Sequence, residues 1–215
     1  MVIEILGTSH ISEESIRKIK EKISELKPTI VAVELDEGRL RALIAGQRKV
    51  PTSAVLQLGI FGWLFQLLGS YAQKKLGQSV KQTPGIDMKT AYLEAKKVGA
   101  KVFLIDMPIQ ITLKKLSAIP ILEKLKFGFY LISGIFANEK IEIDLKKVPA
   151  DEMIFKLASN LKKQFPNIYK VLVSDRDNYL ANQIKHLQKH FPDEKTLVVL
   201  GAGHLKGVKK LLKNN

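Results

Sequence analysis

Two copies of one short pattern, one near each end of the chain, restrict the fold more than any other feature. Gly7-Thr8-Ser9-His10 follows the apolar run 2–6, and Gly201-Ala202-Gly203-His204 follows the apolar run 196–200. Both runs are short and rich in β-branched residues, which predicts strands, and each leads into a helical pattern. Two Gly-x-x-His turns at the carboxyl ends of parallel strands bring both imidazoles to the rim where open α/β sheets bind ligands. The chain between them has to supply a sheet and helices that hold the two ends side by side.

Taken in order, the spacing predicts a first strand over 2–6, buried on both faces as parallel strands covered by helices are. Gly7 lets the backbone turn tightly there. Ser12 caps a helix with Glu13 and Glu14 in its first turn, and Ile16, Ile19, Ile23 and Leu26 form its apolar face. Pro28 closes it, and TIVAVEL (29–35) is a second strand, completing a βαβ unit. A helix carrying Ala91, Ala95 and Val98, ended by Gly99, leads to a third strand, KVFLID (101–106). Ile111, Leu113 and Leu116 predict one further helix, and Leu122, Leu125, Phe129, Ile132 and Phe136 another. A pair of helices broken at Pro166 follows, the last running over about 167–190 before the final strand. A chain of 215 residues, 46% hydrophobic, can bury one good-sized core. The expected fold class is α/β, a small mostly parallel β-sheet flanked by helices. It forms a single domain over 1–215 with helical insertions at about 51–81 and 118–165.

Several charged residues fall where apolar ones are expected. Glu34 lies near the carboxyl end of an otherwise apolar strand, at the level of His10, and buried acids are rare unless paired or bound to metal, so it is a site candidate. Asp36 and Glu37 read as caps for the next helix, and Asp87 as a cap with less weight for function. Asp106, at the end of the third strand, is placed to orient an imidazole through its second nitrogen. Arg176 beside Asp177 stands on the last long helix where a buried face normally carries apolar residues. It suits either a surface ion pair or a fork for a carboxylate or developing oxyanion. His186 and His190, four apart among Lys185, Gln188 and Lys189, read as solvated.

Composition narrows the class. The net charge of +14 comes mostly from lysines spread along helices, with no aromatic-interleaved basic motif, so nucleic acid is not the expected partner. A basic face lying on anionic lipid accounts for the same charge. The chain has no cysteine, hence neither disulfide nor thiolate ligand. The start MVIEILGTSH lacks the features of a signal peptide. The uncharged run 51–73 is diluted by polar residues and glycines. It is expected to be buried in the domain or at a homodimer contact through the helical insertion, or else to lie on a membrane surface anchored by Trp63 and Tyr71.

The succession GTSH, VAVELDEGR, TPGIDMKTAYLEA, GAKVFLID, DRDNYLA and VVLGAGHLKGV resembles the TraB domain family, named for pheromone-shutdown proteins and common in archaea. That family is grouped with the Tiki proteases, the ChaN proteins and the erythromycin esterases. The similarity runs over most of the chain and is weakest at about 51–81 and 118–165. It implies a metal-dependent, peptidase-like hydrolase, one role being inactivation of a small peptide. His10, Glu34 and His204 would be the metal ligands, and these with Arg176 the catalytic set, with Asp106 and Asp177 as supporting carboxylates. Ser174-Asp175 stands where related proteins usually have a glutamate before the Arg-Asp pair. Family members commonly continue into hydrophobic spans, so an excised soluble domain, in the cytoplasm or at the cytoplasmic face of a membrane, is the expected form.

Two imidazoles and a carboxylate would leave a coordination position open for water on a divalent ion such as manganese, cobalt or zinc. Such an ion would activate that water, with Arg176 stabilising the oxyanion. The alternatives are a metal-free, esterase-like enzyme using His10 as general base, and a non-catalytic domain that sequesters a peptide. The expected partner is therefore a peptide or small-molecule substrate.

Overall fold

The computed structural model describes residues 3–8, 13–46, 85–136 and 158–213, with side chains throughout except over 131–136. His10, Ser12 and the apolar run 51–73 lie outside the described residues.

Four strands form one parallel sheet in the order β1-β4-β2-β3: β1 Ile3–Thr8, β2 Ile30–Val33, β3 Lys101–Leu104 and β4 Thr196–Gly201. The last strand inserts between the first two, so both chain ends predicted to meet do so inside the sheet. Ile30 pairs with Thr196 on one side and Lys101 on the other, and Ile3 pairs with Thr196. β2 and β4 are buried along their whole length, whereas β1 is only half-buried, correcting the expectation of a strand covered on both faces. β1 is an edge strand. It also continues through Gly7 to Thr8, so the first Gly-x-x-His begins inside the strand.

Side chains alternate across the sheet as the pleat requires. Val31, Val33, Leu197 and Val199 meet α1 (Glu13–Leu26), α2 (Glu37–Ile44) and α3 (Ile86–Lys97) on one face. Ala32, Val198 and Leu200 meet α7 (Asp175–His190) and α8 (Ala202–Lys213) on the other. The result is three layers, helices on either side of a central sheet. Ile19 and Ile23 of α1 are essentially inaccessible to solvent, each contributing about 1.5–3 kcal/mol of burial. Ala91 and Ala95 let α3 sit close to the sheet; Val98, predicted on the same face, is exposed at the helix end. Lys27, with φ of +45°, rather than Pro28, is the residue that breaks α1, and Gly99 at φ of +73° follows α3.

The remaining elements form a helical annex. α4 (Ile109–Ser117), α5 (Ile121–Phe136), helical residues 158–164 and α6 (Pro166–Tyr169) surround a smaller core of Leu116, Ile119, Phe165, Ile168 and Val171. Pro166 takes a first-turn position, where its missing N–H costs nothing. A π-helical turn, Lys170–Ser174, joins α6 to α7, so the predicted helix over 167–190 is not continuous α-helix. Its wider turn changes rotational phase between the two halves. Ile168 and Val171 face the annex while Leu180, Ile184 and Leu187 face the sheet.

Candidate active site

β2 stops at Val33, and the next residue, Glu34, turns its side chain along the carboxyl rim of the sheet, 5% exposed. Its Oε2 accepts a hydrogen bond from the Gly201 N–H at 2.6 Å. β4 runs on past the end of β2, and the carboxylate stands in for the strand carbonyl that β4 would otherwise lack. Its Oε1 accepts from Arg176 Nη2 at 2.6 Å. Glu34 is therefore both a structural cap for the sheet rim and half of a buried ion pair.

β4 passes into α8 without a connecting loop, so Gly203 and His204 lie in the first helical turn instead of in a separate turn. His204 is 7% exposed, its Nδ1 2.6 Å from Asp177 Oδ1 and its Nε2 3.5 Å from Glu34 Oε1. The carboxylate on His204 Nδ1 is thus Asp177. Asp106, expected to orient an imidazole, accepts from Arg176 Nε and Nη2 at 3.1 and 2.6 Å, from Arg39 Nη2 and from the Met107 N–H; of the two candidate imidazoles, His10 lies outside the described residues. Arg39 also donates to Asp36, which caps α2 by accepting the Arg39 N–H at 2.9 Å. Arg176 and Asp177, adjacent on α7, reach opposite parts of one network. The first joins the ends of β2 and β3, and the second holds the imidazole of α8.

Electrostatics follow from these pairings. Burial by itself would raise the Asp106 carboxyl, but the guanidiniums of Arg176 and Arg39 hold it below its ordinary value. Burial likewise works against the Arg176 cation, and Asp106 with Glu34 holds its pKa above the usual arginine value. Arg176 is a permanent, paired cation at the rim. Among the described residues its hydrogen bonds come from Nε and Nη2, leaving Nη1 for another acceptor.

Nothing local in the sequence marks Thr8, Arg39 or Gly207 for the contacts they make, and Asp87 reads there mainly as a cap. Asp87 is 1% exposed and accepts from Thr8 Oγ1 at 2.5 Å, tying α3 to the end of β1. Gly85, at φ of +83°, occupies the N-cap position of α3. A Cβ on Gly207 would stand 2.0 Å from Asp177 Oδ2, so only glycine lets α8 pack this closely on that carboxylate. The VELDEGR and HLKG runs contain Arg39 and Gly207, but nothing in their spacing points to these contacts. His186 and His190 are exposed on α7, away from this network as expected.

A metal centre on this rim would draw on His10, Glu34 and His204. Among the described residues no group of three His, Cys, Asp or Glu is arranged to hold an ion. Both oxygens of Glu34 are engaged, one with a guanidinium that already supplies positive charge. The described residues do not by themselves make a metal centre.

Beside His204 a groove of about 340 Å3 opens between the annex and the rim. Tyr130, Leu161, Phe165 and Val173 are among the residues that line it, with Gly203 and His204.

The sequence profile of the TraB/PrgY/gumN family matches residues 2–215. The chain belongs to this family. An uncharacterized protein of Methanocaldococcus jannaschii is 36% identical over 98% of the chain, which spans 53% of that relative. TraB domain-containing proteins of Mus musculus and Homo sapiens are 25% and 24% identical over 97% of the chain, which covers 62% of each. The chain thus spans about half to three-fifths of the length of these relatives.

Proposed function

We propose that this TraB-family domain is a hydrolase acting on the acyl bond of a small substrate, a peptide, amide or ester, with His204 as its acid–base group. The observation that carries this is the Asp177–His204 pair at 2.6 Å, buried at the sheet rim yet bordering an open groove. A carboxylate on Nδ1 fixes the tautomer and stabilises the imidazolium, leaving Nε2 to exchange protons. His204 takes a proton from water as the water oxygen attacks the carbonyl. The oxyanion forms against Arg176 Nη1, and His204 returns the proton to the leaving nitrogen or oxygen as the acyl bond breaks. Glu34 and Asp106 position the guanidinium.

The 3.5 Å separation of His204 Nε2 and Glu34 Oε1 supports a second, metal-assisted form of the same reaction. Two donors each about 2.1 Å from one ion stand at a similar distance. His204 and Glu34, with His10, would then hold a manganese, cobalt or zinc ion that supplies an activated water, with Glu34 Oε1 giving up its hydrogen bond from Arg176 Nη2 to do so.

The test is hydrolysis of ester and peptide libraries by the wild type and by His204→Gln, with and without chelator. Metal content is measured on protein whose exposed His186 and His190 are replaced, so that surface binding is not counted. Turnover that survives chelation and is lost in His204→Gln supports the first form. Turnover that needs stoichiometric metal supports the second. Absence of turnover for every substrate with intact folding would sink both and leave peptide sequestration.

A further inference from the structure

The groove beside His204 differs in character from the rest of a chain that carries a net charge of +14. Among the described residues that line it there is no lysine, arginine, aspartate or glutamate, and the polar side chains besides His204 are the Tyr130 hydroxyl and the carboxamides of Asn160 and Gln164. Phe165 in its lining is 1% exposed and packs edge-on with Phe127 and Tyr130, with ring centroids 5.0 and 5.4 Å away. The His204 imidazole, the proposed acid–base group, lines the same groove.

We infer that this groove is the subsite for an uncharged, apolar group attached directly to the carbonyl that His204 and Arg176 act on. This rests on the hydrolase reading for its position relative to the reacting bond, but the groove's selectivity stands on its own lining. At about 30 Å3 per carbon group, the share of a water in the liquid, its volume holds roughly ten carbons. That is the size of a medium acyl chain or of one large apolar side chain with its backbone. Carboxylate or ammonium groups find no counter-charge among the described lining residues, and their hydration opposes entry. The chain's basic character plays no part in recognition at this point; shape and apolar area do.

Binding is measured with unreactive carbonyl compounds, so the outcome does not depend on catalysis. The probes are 2-alkanones of four to twelve carbons, and N-acetyl-methylamides of leucine, phenylalanine, lysine and glutamate. They are titrated by calorimetry while the His204 ring resonances are followed by NMR. Affinity is expected to rise up to about fourfold per added methylene until the groove is full, then to level off. The His204 resonances should move in step. Ala158→Phe, which fills the groove from the annex, should shorten the chain length at which the rise stops, with the fold checked by its melting curve. Tighter binding of the ketones identifies an acyl chain as the natural occupant, and tighter binding of the leucine or phenylalanine compound identifies a peptide side chain; either supports the subsite. Affinity independent of chain length, equal binding of the lysine or glutamate compound, or an unchanged profile in folded Ala158→Phe would overturn it. Ketone binding as expected in a protein that hydrolyses nothing would overturn the hydrolase reading and leave the subsite in place.

Discussion

At the scale of single residues, Gly207 and Asp177 make the sharpest prediction. Alanine is a better helix former than glycine by about 1 kcal/mol, so Gly207→Ala at an ordinary helical site would stabilise the protein. Here the new methyl would meet Asp177 Oδ2 at 2.0 Å and its Cγ at 2.7 Å. The carboxylate has to swing away, and His204 loses its partner. We expect Gly207→Ala to lower hydrolysis by a factor of about 10² or more, in line with loss of an oriented acid–base group. Its melting temperature should fall by only a few degrees. Asp177→Asn, which keeps the size but not the charge, should match the kinetic loss, and comparison of kcat with thermal melts of the two variants checks the assignment. Glu34 is legible in the sequence because an acid near the end of the otherwise apolar TIVAVEL has no ordinary use in a buried strand. The division of labour between Asp106 and Asp177 is not. Which carboxylate meets which base depends on how α7 is rotated about its axis, and that leaves no trace in hydrophobic spacing.

At the scale of elements, periodicity disclosed what each segment is but not how it is phased or covered. The π turn Lys170–Ser174 shows this, since an extra residue per turn is compatible with the same apolar count. Strand order is equally silent in the sequence, so the half-burial of β1 followed only from finding β4 beside it. Asp87 misled for a related reason. An acid in a first helical turn is so often a dipole partner that its contact with Thr8, 79 residues away, has no local signature. α5 carries a different lesson. Of its predicted apolar stripe, Leu122, Leu125 and Phe129 are 78%, 51% and 74% exposed. Replacing Leu122 and Phe129 together by lysine should therefore leave stability within about 0.5 kcal/mol of wild type per site, as for other exposed positions. Chemical denaturation checks this. A loss of several kcal/mol would mean that the stripe is packed in solution, and light scattering on the same samples would show whether a second copy packs it.

For the whole molecule, charge and buried ion pairs act in opposite directions as pH falls. Asp106 has a lower pKa folded than unfolded, so its contribution to stability is complete above its unfolded value of about 4. The contribution is lost as pH falls through the folded value. Over the same range the other carboxylates protonate, and a chain already at +14 becomes more positive, adding self-repulsion that favours expansion. Salt separates the two effects. It screens repulsion between exposed charges but reaches the buried Asp106–Arg176 pair far less, the Debye length being about 10 Å at 0.1 M and about 3 Å at 1 M. Added salt should raise the melting temperature at pH 4 to 7 without removing the steep acid limb. In Asp106→Asn, stability at neutral pH should drop by about 3–5 kcal/mol, because two guanidiniums lose a buried partner. The acid limb should flatten to the extent that this carboxylate causes it. The decisive measurement is urea unfolding of both proteins from pH 2 to 7 at low and high salt. If the limb keeps its full slope in the variant, acid lability belongs to the net charge of the molecule and not to the ion pairs that position Arg176.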